Sequence, residues 1–301
     1  MKTFFTFLLF IFFSSLCFCA ENFSKLKVAL PGGAPSVALA VIADSNLYDF
    51  SYIASETVAA EFASSKADFI VAPVNAGAKL FNKKKSQYKL AAVITWGNLY
   101  FASQKKNFKL SDIKQNGITL FGENTINSSV AIFLLEKCGY KLNKIEYLAG
   151  AAGTQALLLS DKNKIVMTAE PALSAAAIKN PEIIFYSLND LCKTALNEDG
   201  FAQAGIFVKE ITAENYRERV DEFLYNAEKS CNKCNNNLDL VAEICVKKEI
   251  LLNKKIALSS IPNCAIRFVK AIDAKTNIQM LAEIDLSQFG GEIPSDDFYY
   301  E

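Results

Sequence analysis

The sequence predicts an α/β protein of two lobes, joined by two crossing segments, with a ligand cleft between the lobes. Strand-like and helix-like segments alternate from residue 25 to about residue 190, which is typical of parallel sheets covered by helices. The same order of elements occurs twice without a sequence repeat, and each half contains a strand that runs towards a proline, in DFIVAPVNA and KIVMTAEPALS. Two further β-prone segments stand where a chain would pass between lobes.

The first half begins with a predicted strand at 25–30 (KLKVAL) and helix-like apolar spacing at 36–45, followed by a strand at 48–55. A second helical segment leads into the buried strand DFIVAP, which ends at Pro73, and the next helix begins at Val74. Parallel strands joined by helices in this way carry helices on both faces of the sheet.

The β-prone segment at 88–104 is longer than an ordinary strand and is predicted to pass from one sheet into another. Strand ITLF, turn GENT and a helix from Ser128 then repeat the opening pattern, and IEYLAG is a further strand. A second crossing is predicted at GIFVKEI, after which the chain is mainly helical. We therefore expect lobe I at 24–96 and 205–301, and lobe II at 97–204.

The N-terminus predicts a secretory signal peptide over residues 1–19. Met1–Lys2 precedes the apolar TFFTFLLFIFFSSLCFC, which is shorter than the roughly 20 residues of a membrane span. Cleavage after Cys19 places small residues at the required positions, whereas Leu16 and Phe18 do not suit the alternative of a lipid on Cys17 or Cys19. The chain is therefore expected to be exported, to the periplasm or the outer face of the cytoplasmic membrane, with lipid anchoring left open.

Charge and composition exclude several function classes. The chain has 32 basic and 32 acidic residues, so it lacks the net positive charge typical of nucleic-acid binding. It has no histidine, which removes the commonest general base and the commonest transition-metal ligand. Hydrolases that depend on Ser-His-Asp or Cys-His pairs, and histidine-based zinc enzymes, are excluded. No cofactor is expected.

Six cysteines follow the signal peptide, and three interpretations of them compete. CNKC at 231–234 follows a helical stretch, whereas a reactive CxxC needs a helix N-terminus. A zinc site would use four cysteines, but no second CxxC is present. Structural disulfides or buried free thiols are the third interpretation. The four are Cys231, Cys234, Cys245 and Cys264.

Two glycine- or hydroxyl-rich turns are the first candidates for a ligand site. PGGAPS follows the first strand, where Gly32 and Gly33 allow close backbone approach and Ser36 can cap the helix or bind a ligand. It lacks the spacing of a nucleotide or dinucleotide loop. ENTINSS is the matching turn of the second lobe and offers hydroxyls, an amide and free N–H groups at a helix start. Each turn, alone, is equally compatible with an ordinary helix cap.

Three further polar or aromatic residues follow strands at the predicted cleft. Asn75 follows Pro73, and Glu170 occupies the equivalent place in AEPA. Each is a candidate for ligand binding or simply for helix capping. Trp96, the only tryptophan, lies in the first crossing, where it would stack on a flat ligand or pack at a hinge. The predicted turns contain no Arg or Lys, which argues against a strongly acidic ligand.

Several segments in order carry a family resemblance: LPGGAPSVAL, DFIVAPVNAGAKLFN, VITWGNLYF, GENTINSS, TAEPALSAA, SIPNCAIRF and GGEIPSDDFYY. With them the chain resembles the substrate-binding proteins of ABC importers, in the group similar to nitrate, sulfonate, taurine and thiamine-pyrimidine binding proteins. The resemblance implies a periplasmic-binding-protein type II fold that captures a small solute by lobe closure. It implies these ligand-binding residues: Gly33, Ala34, Pro35, Ser36, Asn75, Trp96, Gly97, Asn98, Thr125, Asn127, Ser128 and Glu170.

The expected function is therefore a non-enzymatic, monomeric solute carrier with a membrane permease and an ATPase as partners. Glu170 with Trp96 would suit an amine-bearing heterocycle such as a thiamine precursor, while backbone N–H groups would suit a small anion such as a sulfonate or nitrate. Enzymes also use this fold, although a related thiamine-pyrimidine synthase consumes a histidine that this chain lacks. A ligand sensor that docks on a membrane receptor is the remaining alternative.

Overall fold

The structure is a computed structural model that describes residues 24–301. The signal peptide expected at 1–19, with Cys17 and Cys19, lies outside the described residues. None of the helices in the described part of the chain combines the length and apolar character that a membrane-spanning helix requires.

The strands of the described chain form two separate sheets. They are β1 (Lys27–Pro31), β2 (Asp49–Ile53), β3 (Phe69–Pro73), β4 (Tyr88–Thr95), β5 (Leu99–Ser103), β6 (Ile118–Phe121), β7 (Ile145–Leu148), β8 (Ile165–Ala169), β9 (Ile184–Ser187), β10 (Ala204–Lys209) and β11 (Ile266–Lys270). The first sheet has the order β11-β4-β10-β3-β1-β2, and the second has the order β7-β6-β8-β5-β9.

Helices connect these strands and cover the sheets. They are α1 (Ala34–Ala38), α2 (Ala40–Asp44), α3 (Val58–Ser64), α4 (Val74–Asn82), α5 (Ile113–Asn116), α6 (Ile126–Lys137), α7 (Ala151–Ser160), α8 (Ala172–Lys179), α9 (Leu188–Leu196), α10 (Glu210–Asn215), α11 (Arg217–Asn236), α12 (Leu238–Lys247), α13 (Lys254–Ser260) and α14 (Ala271–Ile284). Short 3₁₀ turns lie at Ser55–Thr57, Leu110–Asp112, Ile261–Asn263, Leu286–Phe289 and Asp296–Phe298.

The predicted two-lobed α/β fold class is confirmed, but the sheets are mixed rather than parallel. Strands β1, β2 and β3 are parallel, whereas β10 is antiparallel to both β3 and β4. In the second sheet β6, β7 and β8 are parallel, and β5 is antiparallel to β8 and pairs with β9. Strand β11, at the edge of the first sheet, is also antiparallel to its neighbour β4.

The register places the crossings at the carboxyl ends of the parallel strands. Ala204 pairs with both Pro73 and Thr95, and Leu99 pairs with Ala169 across the second sheet. The segment 96–98 therefore leaves the first sheet and enters the second at the edge where β3 and β8 end. Ligands of open α/β sheets bind outside such strand ends.

Several predicted boundaries differ from the structure. The helix expected at 36–45 begins at Ala34 and is broken at Leu39, and α6 begins at Ile126 instead of Ser128. GIFVKEI is not itself a crossing, because β10 lies within the first sheet. The second crossing is the segment 201–203, directly before β10. Strands β9 and β11 were not predicted, since each is short and lies between helical segments whose apolar spacing dominates.

The apolar core is continuous between the lobes along α14. This helix packs against β4 of the first sheet and against α6, which follows β6 of the second. Buried Ile278 and Leu281 of α14 belong to the same apolar cluster as Phe101 and Leu134. A second cluster, which includes Val37, Phe223 and Cys234, fills the space between the first sheet and α11.

Candidate functional site

The PGGAPS turn presents an open helix start at the end of β1. Gly33 has φ of 87°, a conformation that favours glycine, and a side chain at Gly32 or Gly33 would meet no atom within 4 Å. No side chain caps α1, so its first N–H groups are left for solvent or a ligand. Ser36 was predicted to cap the helix or to bind a ligand. The cap is not formed, because the buried Ser36 hydroxyl donates to the Pro31 carbonyl at 2.7 Å.

The hydroxyls of the second turn shape the turn itself. Thr125 Oγ1 and Ser128 Oγ both donate to the Gly122 carbonyl, at 2.7 and 2.9 Å. Ser128 Oγ also accepts from the Thr125 N–H at 3.4 Å. Two other side chains of this turn contact other segments: half-exposed Asn127 accepts from Gln203, and Ser129 Oγ donates to Asp285 Oδ2 at 2.6 Å.

An amide cluster joins this turn to both crossings. Gln203 Oε1 accepts from the Asn98 N–H at 3.3 Å, and Gln203 Nε2 donates to Asn127 Oδ1 at 3.5 Å. The Gln203 carbonyl accepts from the Val74 N–H at 3.0 Å, one residue before Asn75. We call Asn98, Asn127 and Gln203 the amide cluster. The cluster links the two crossings to the Asn127 turn of lobe II, and the Gln203 carbonyl connects it to Val74 of lobe I.

Sequence reasoning missed Gln203. The signal was its position as one polar residue between buried Ala202 and buried Ala204, at the start of β10. A side chain that interrupts a buried run at a strand end points to a specific polar contact.

Trp96 is packed at the crossing. It is 5% exposed, its Nε1 donates to the Arg267 carbonyl at 2.9 Å, and the Arg267 guanidinium lies 4.4 Å from the ring centroid. Asn189 Nδ2 donates to the Trp96 carbonyl at 2.8 Å. Gly97 follows with φ of 77°, and a side chain there would collide with Asn189 and Phe201. Arg267 brings a cation to the crossing that the local sequence around Trp96 does not contain.

Glu170 is a buried carboxylate at the end of β8. Its side chain accepts from the Ser174 N–H at 3.1 Å and from Ser174 Oγ at 2.8 Å. Its main chain pairs with Asn98, whose carbonyl accepts the Glu170 N–H at 3.1 Å and whose Nδ2 donates to the Glu170 carbonyl at 3.2 Å. Burial raises the pKa of Glu170 to about 7.

A cavity of about 280 Å³ adjoins Glu170, between α8 and the segment before β11. Leu173, Phe185 and Asn263 contribute to its walls. The cavity therefore places one carboxylate beside apolar side chains, next to β9.

The structure brings some predicted residues together and leaves others apart. Asn98, Asn127 and Glu170 are linked by hydrogen bonds through Gln203 and the main chain. Within residues 24–301, no hydrogen bond joins the Gly33–Ser36 turn to this group. A wider groove of about 610 Å³ lies elsewhere, beside Leu224, Phe268 and Tyr300, and includes no predicted site residue.

In the described part of the chain, no group of three or more acidic or cysteine side chains is arranged to hold a metal ion. The cysteines there are free and, apart from half-buried Cys138, buried. Of the three cysteine interpretations, buried free thiols is the one that the structure shows.

No protein-family model and no curated protein matches this sequence. Solved structures do match its fold. An ABC transporter protein from Parabacteroides distasonis has a TM-score of 0.80 at 22% identity, covering 92% of this chain and 99% of that one. The periplasmic aliphatic sulphonate binding protein SsuA from Escherichia coli has a TM-score of 0.69 at 12% identity, covering 92% of each chain.

A third similar structure names the fold. A Candida albicans protein, described as exhibiting the generic periplasmic binding protein fold, has a TM-score of 0.55 at 13% identity, covering 92% of this chain and 93% of that one. These neighbours agree with the resemblance seen in the sequence. At such identities they show the fold, and this chain has the periplasmic binding protein fold.

Proposed function

We propose that this protein is the extracytoplasmic solute-binding component of an ABC importer. The observation that carries the proposal is the amide cluster, which ties the two crossings to the Asn127 turn, at the strand ends where ligands of this fold class bind. The main chain of Gln203 extends this contact to lobe I, because its carbonyl accepts from the Val74 N–H. Structures with the same fold include an ABC transporter protein and a sulphonate-binding protein. The protein would carry its solute unchanged and deliver it to a membrane permease that an ATPase drives.

Solute capture would work by lobe closure. Lobe I would comprise 24–96 and 205–301, and lobe II 97–204, with 96–98 and 201–203 as the segments between them. A ligand that contacts both lobes favours the closed state by the extra contacts made there. Asn127 lies on lobe II and Asn75 on lobe I, so a solute that binds both side chains would bridge the two lobes in the closed state.

The ligand-binding surface we propose has two parts. Backbone N–H groups at the Gly33–Ser36 turn would bind an anionic or polar group, because that helix start is open and uncapped. The amide cluster and Asn75 would supply donors and acceptors for neutral polar groups. The hydroxyls of Thr125 and Ser128 would act indirectly, by holding the turn that presents Asn127.

An amine-bearing heterocycle of the thiamine-precursor type is the solute that Glu170 favours. Within residues 24–301 no ion pair is made by Glu170, which is 4% exposed. A ligand amine would supply the missing positive charge, which would lower the raised pKa of the carboxyl. Trp96 could stack on the ring of such a ligand only with the face that Arg267 does not cover.

A small anion such as a sulfonate or nitrate is the second candidate solute. The N–H groups at the Gly33–Ser36 turn and the Arg267 guanidinium beside Trp96 favour it. The two solute classes make opposite demands on Glu170, because an anion is repelled by its carboxylate and an amine is attracted.

The test is native mass spectrometry of residues 20–301, purified without denaturation, followed by release and identification of any bound compound. We expect one intact small molecule per chain. Gln203→Ala should release it at lower concentrations of denaturant or competitor, and Glu182→Ala, an exposed control, should retain it. A compound that the protein converts and turns over would overturn the carrier proposal in favour of an enzyme.

The solute class is decided by titration calorimetry with three probes: an aminopyrimidine, methanesulfonate and nitrate. Binding of the aminopyrimidine that weakens in Glu170→Gln supports the amine class. Binding of an anion that is unchanged or strengthened in Glu170→Gln supports the anion class. If none of the three binds and the purified protein carries no compound, the proposal of a solute-binding site in this cleft is wrong.

A further inference from the structure

The helix behind the PGGAPS turn is broken at its middle. Helices α1 and α2 are separated by Leu39, which has φ of −104° and ψ of 9°. In an unbroken helix the N–H of Val41 would donate to the Val37 carbonyl, and the Ala38 carbonyl would accept from the residue four positions on. Val37 and Ala38 are fully buried. The Val37 carbonyl shares the Leu39 N–H with the Pro35 carbonyl, whereas the Ala38 carbonyl needs a partner from elsewhere in the chain.

Partners for these groups come from one face of α11. Three consecutive or near-consecutive side chains, Ser230, Cys231 and Cys234, contact the polar groups that the break releases, and all three are buried. The contacts are Val41 N–H to Ser230 Oγ at 3.3 Å, Cys231 Sγ to the Ala38 carbonyl at 3.8 Å, and Cys234 Sγ to the Val37 carbonyl at 3.5 Å. The CNKC motif thus replaces helix hydrogen bonds that the break removes.

The chemistry of these thiols fits donation and not nucleophilic reactivity. Burial raises the pKa of Cys234 to about 12 and the pKa of Cys231 well above its ordinary value. Both thiols therefore keep the S–H proton that a weak donor needs, whereas a redox cysteine needs a lowered pKa. Cys234 Sγ also lies 3.4 Å from the Ser230 carbonyl of its own helix, so its proton is shared between the two acceptors.

We propose that Ser230, Cys231 and Cys234 are positioning residues for the Gly33–Ser36 turn. Helix α1 has only five residues, so holding the carbonyls in its last turn fixes the direction of its axis. The position and direction of the N–H groups at the start of α1, next to the end of β1, are then fixed as well. The positioning of α1 is independent of ligand identity, and only its consequence for affinity rests on the proposed function.

The experiment compares variants of the full mature chain by hydrogen–deuterium exchange of peptides that cover α1 and α2. Cys234→Val removes the S–H donor at nearly constant volume, and Cys234→Ser restores a donor. Cys245→Val is the matched control, since this thiol is buried in the same apolar cluster and makes no hydrogen bond to α1 within residues 24–301. Ser230→Ala removes the acceptor of the Val41 N–H.

We expect exchange in the α1–α2 peptides to rise about fivefold in Cys234→Val and Ser230→Ala, which corresponds to about one lost hydrogen bond. In Cys234→Ser and in Cys245→Val, the exchange rate of these peptides should stay within twofold of wild type. Amide NMR shifts of Gly33 and Ser36 should move in Cys234→Val and not in the control. Equal exchange in Cys234→Val and Cys245→Val, or no recovery in Cys234→Ser, would overturn the proposal.

A binding measurement separates this inference from the proposed function. With methanesulfonate, nitrate and the aminopyrimidine as probes, any probe that binds wild type should bind Cys234→Val about fivefold more weakly and Cys245→Val unchanged. Unchanged binding in Cys234→Val would overturn the link to the turn. If no probe binds any variant, the proposed function fails, and the exchange result still decides whether these side chains hold α1.

Discussion

Glu170 should make the stability of this protein fall as the pH rises from 5 to 8. Its pKa is raised by burial from an ordinary 4.5 to about 7. The folded state therefore binds more protons than the unfolded state between these two values, and stability decreases with increasing pH through that window. Below pH 4.5 the Glu170 carboxyl is protonated in both the folded and the unfolded state, so its full contribution to the free energy of unfolding is present there.

The expected loss between pH 5 and pH 8 is about 2 to 3 kcal/mol, from the linkage of one proton. The window is unusually clear because the chain has no histidine, whose titration would otherwise dominate it. The buried cysteines contribute little below pH 8, because their thiols ionise on unfolding only as the pH approaches the ordinary value of 9.0.

The assay is urea unfolding of residues 20–301 at pH 5 and pH 8, with reductant present, in wild type and Glu170→Gln. Glutamine still accepts a hydrogen bond from Ser174 but does not ionise, so the variant should match wild type at pH 5 and exceed it at pH 8. Glu182→Gln, at an exposed position, is the control and should keep the full pH dependence. A wild-type stability that is flat across this range, or a Glu170→Gln variant that keeps the drop, would refute the reasoning.

Three further substitutions test the structure at separate places. Gly33→Ala should lower the free energy of unfolding by about 1–2 kcal/mol through its positive φ alone, measured by urea unfolding. Asp285→Ala and Ser129→Ala, combined in a double-mutant cycle, should show a coupling of about 1–2 kcal/mol, because a 2.6 Å hydrogen bond joins α6 to the segment after α14. Tyr88→Phe should cost about 1–2 kcal/mol, since its buried hydroxyl donates to a main-chain carbonyl at 2.7 Å; thermal unfolding measures it.

Each of these has an internal comparison. Gly32→Ala, in the same turn without a positive φ, should be nearly neutral, and an equal cost at both glycines would contradict the strain argument. Additive effects in the double-mutant cycle would mean that the Asp285–Ser129 contact does not stabilise the lobe interface. Tyr299→Phe should be neutral or stabilising, because its buried hydroxyl finds no partner within residues 24–301.

The sequence by itself was sufficient for the fold class and for where the turns fall. Alternation of short apolar strands with helical spacing is a local property. The glycines of PGGAPS, the proline that ends β3 and the proline after β8 mark strand ends directly. The absence of histidine also needed no structure. Strand direction did not follow from the sequence, because β10 and β11 pair with strands more than 100 residues away, and pairing at that separation leaves no local pattern.

Only the tertiary structure decided what the polar side chains contact. Ser36, Thr125 and Ser128 were predicted as ligand contacts, and only the structure shows that their hydroxyls donate to carbonyls of their own turns. Gln203 and Arg267 are distant in sequence from the residues that they contact. The three interpretations of CNKC were distinguished only by the packing of α11 against α1. A polar group in a fold bonds to whichever partner burial brings near, and burial is set by the packing of segments that are distant in sequence.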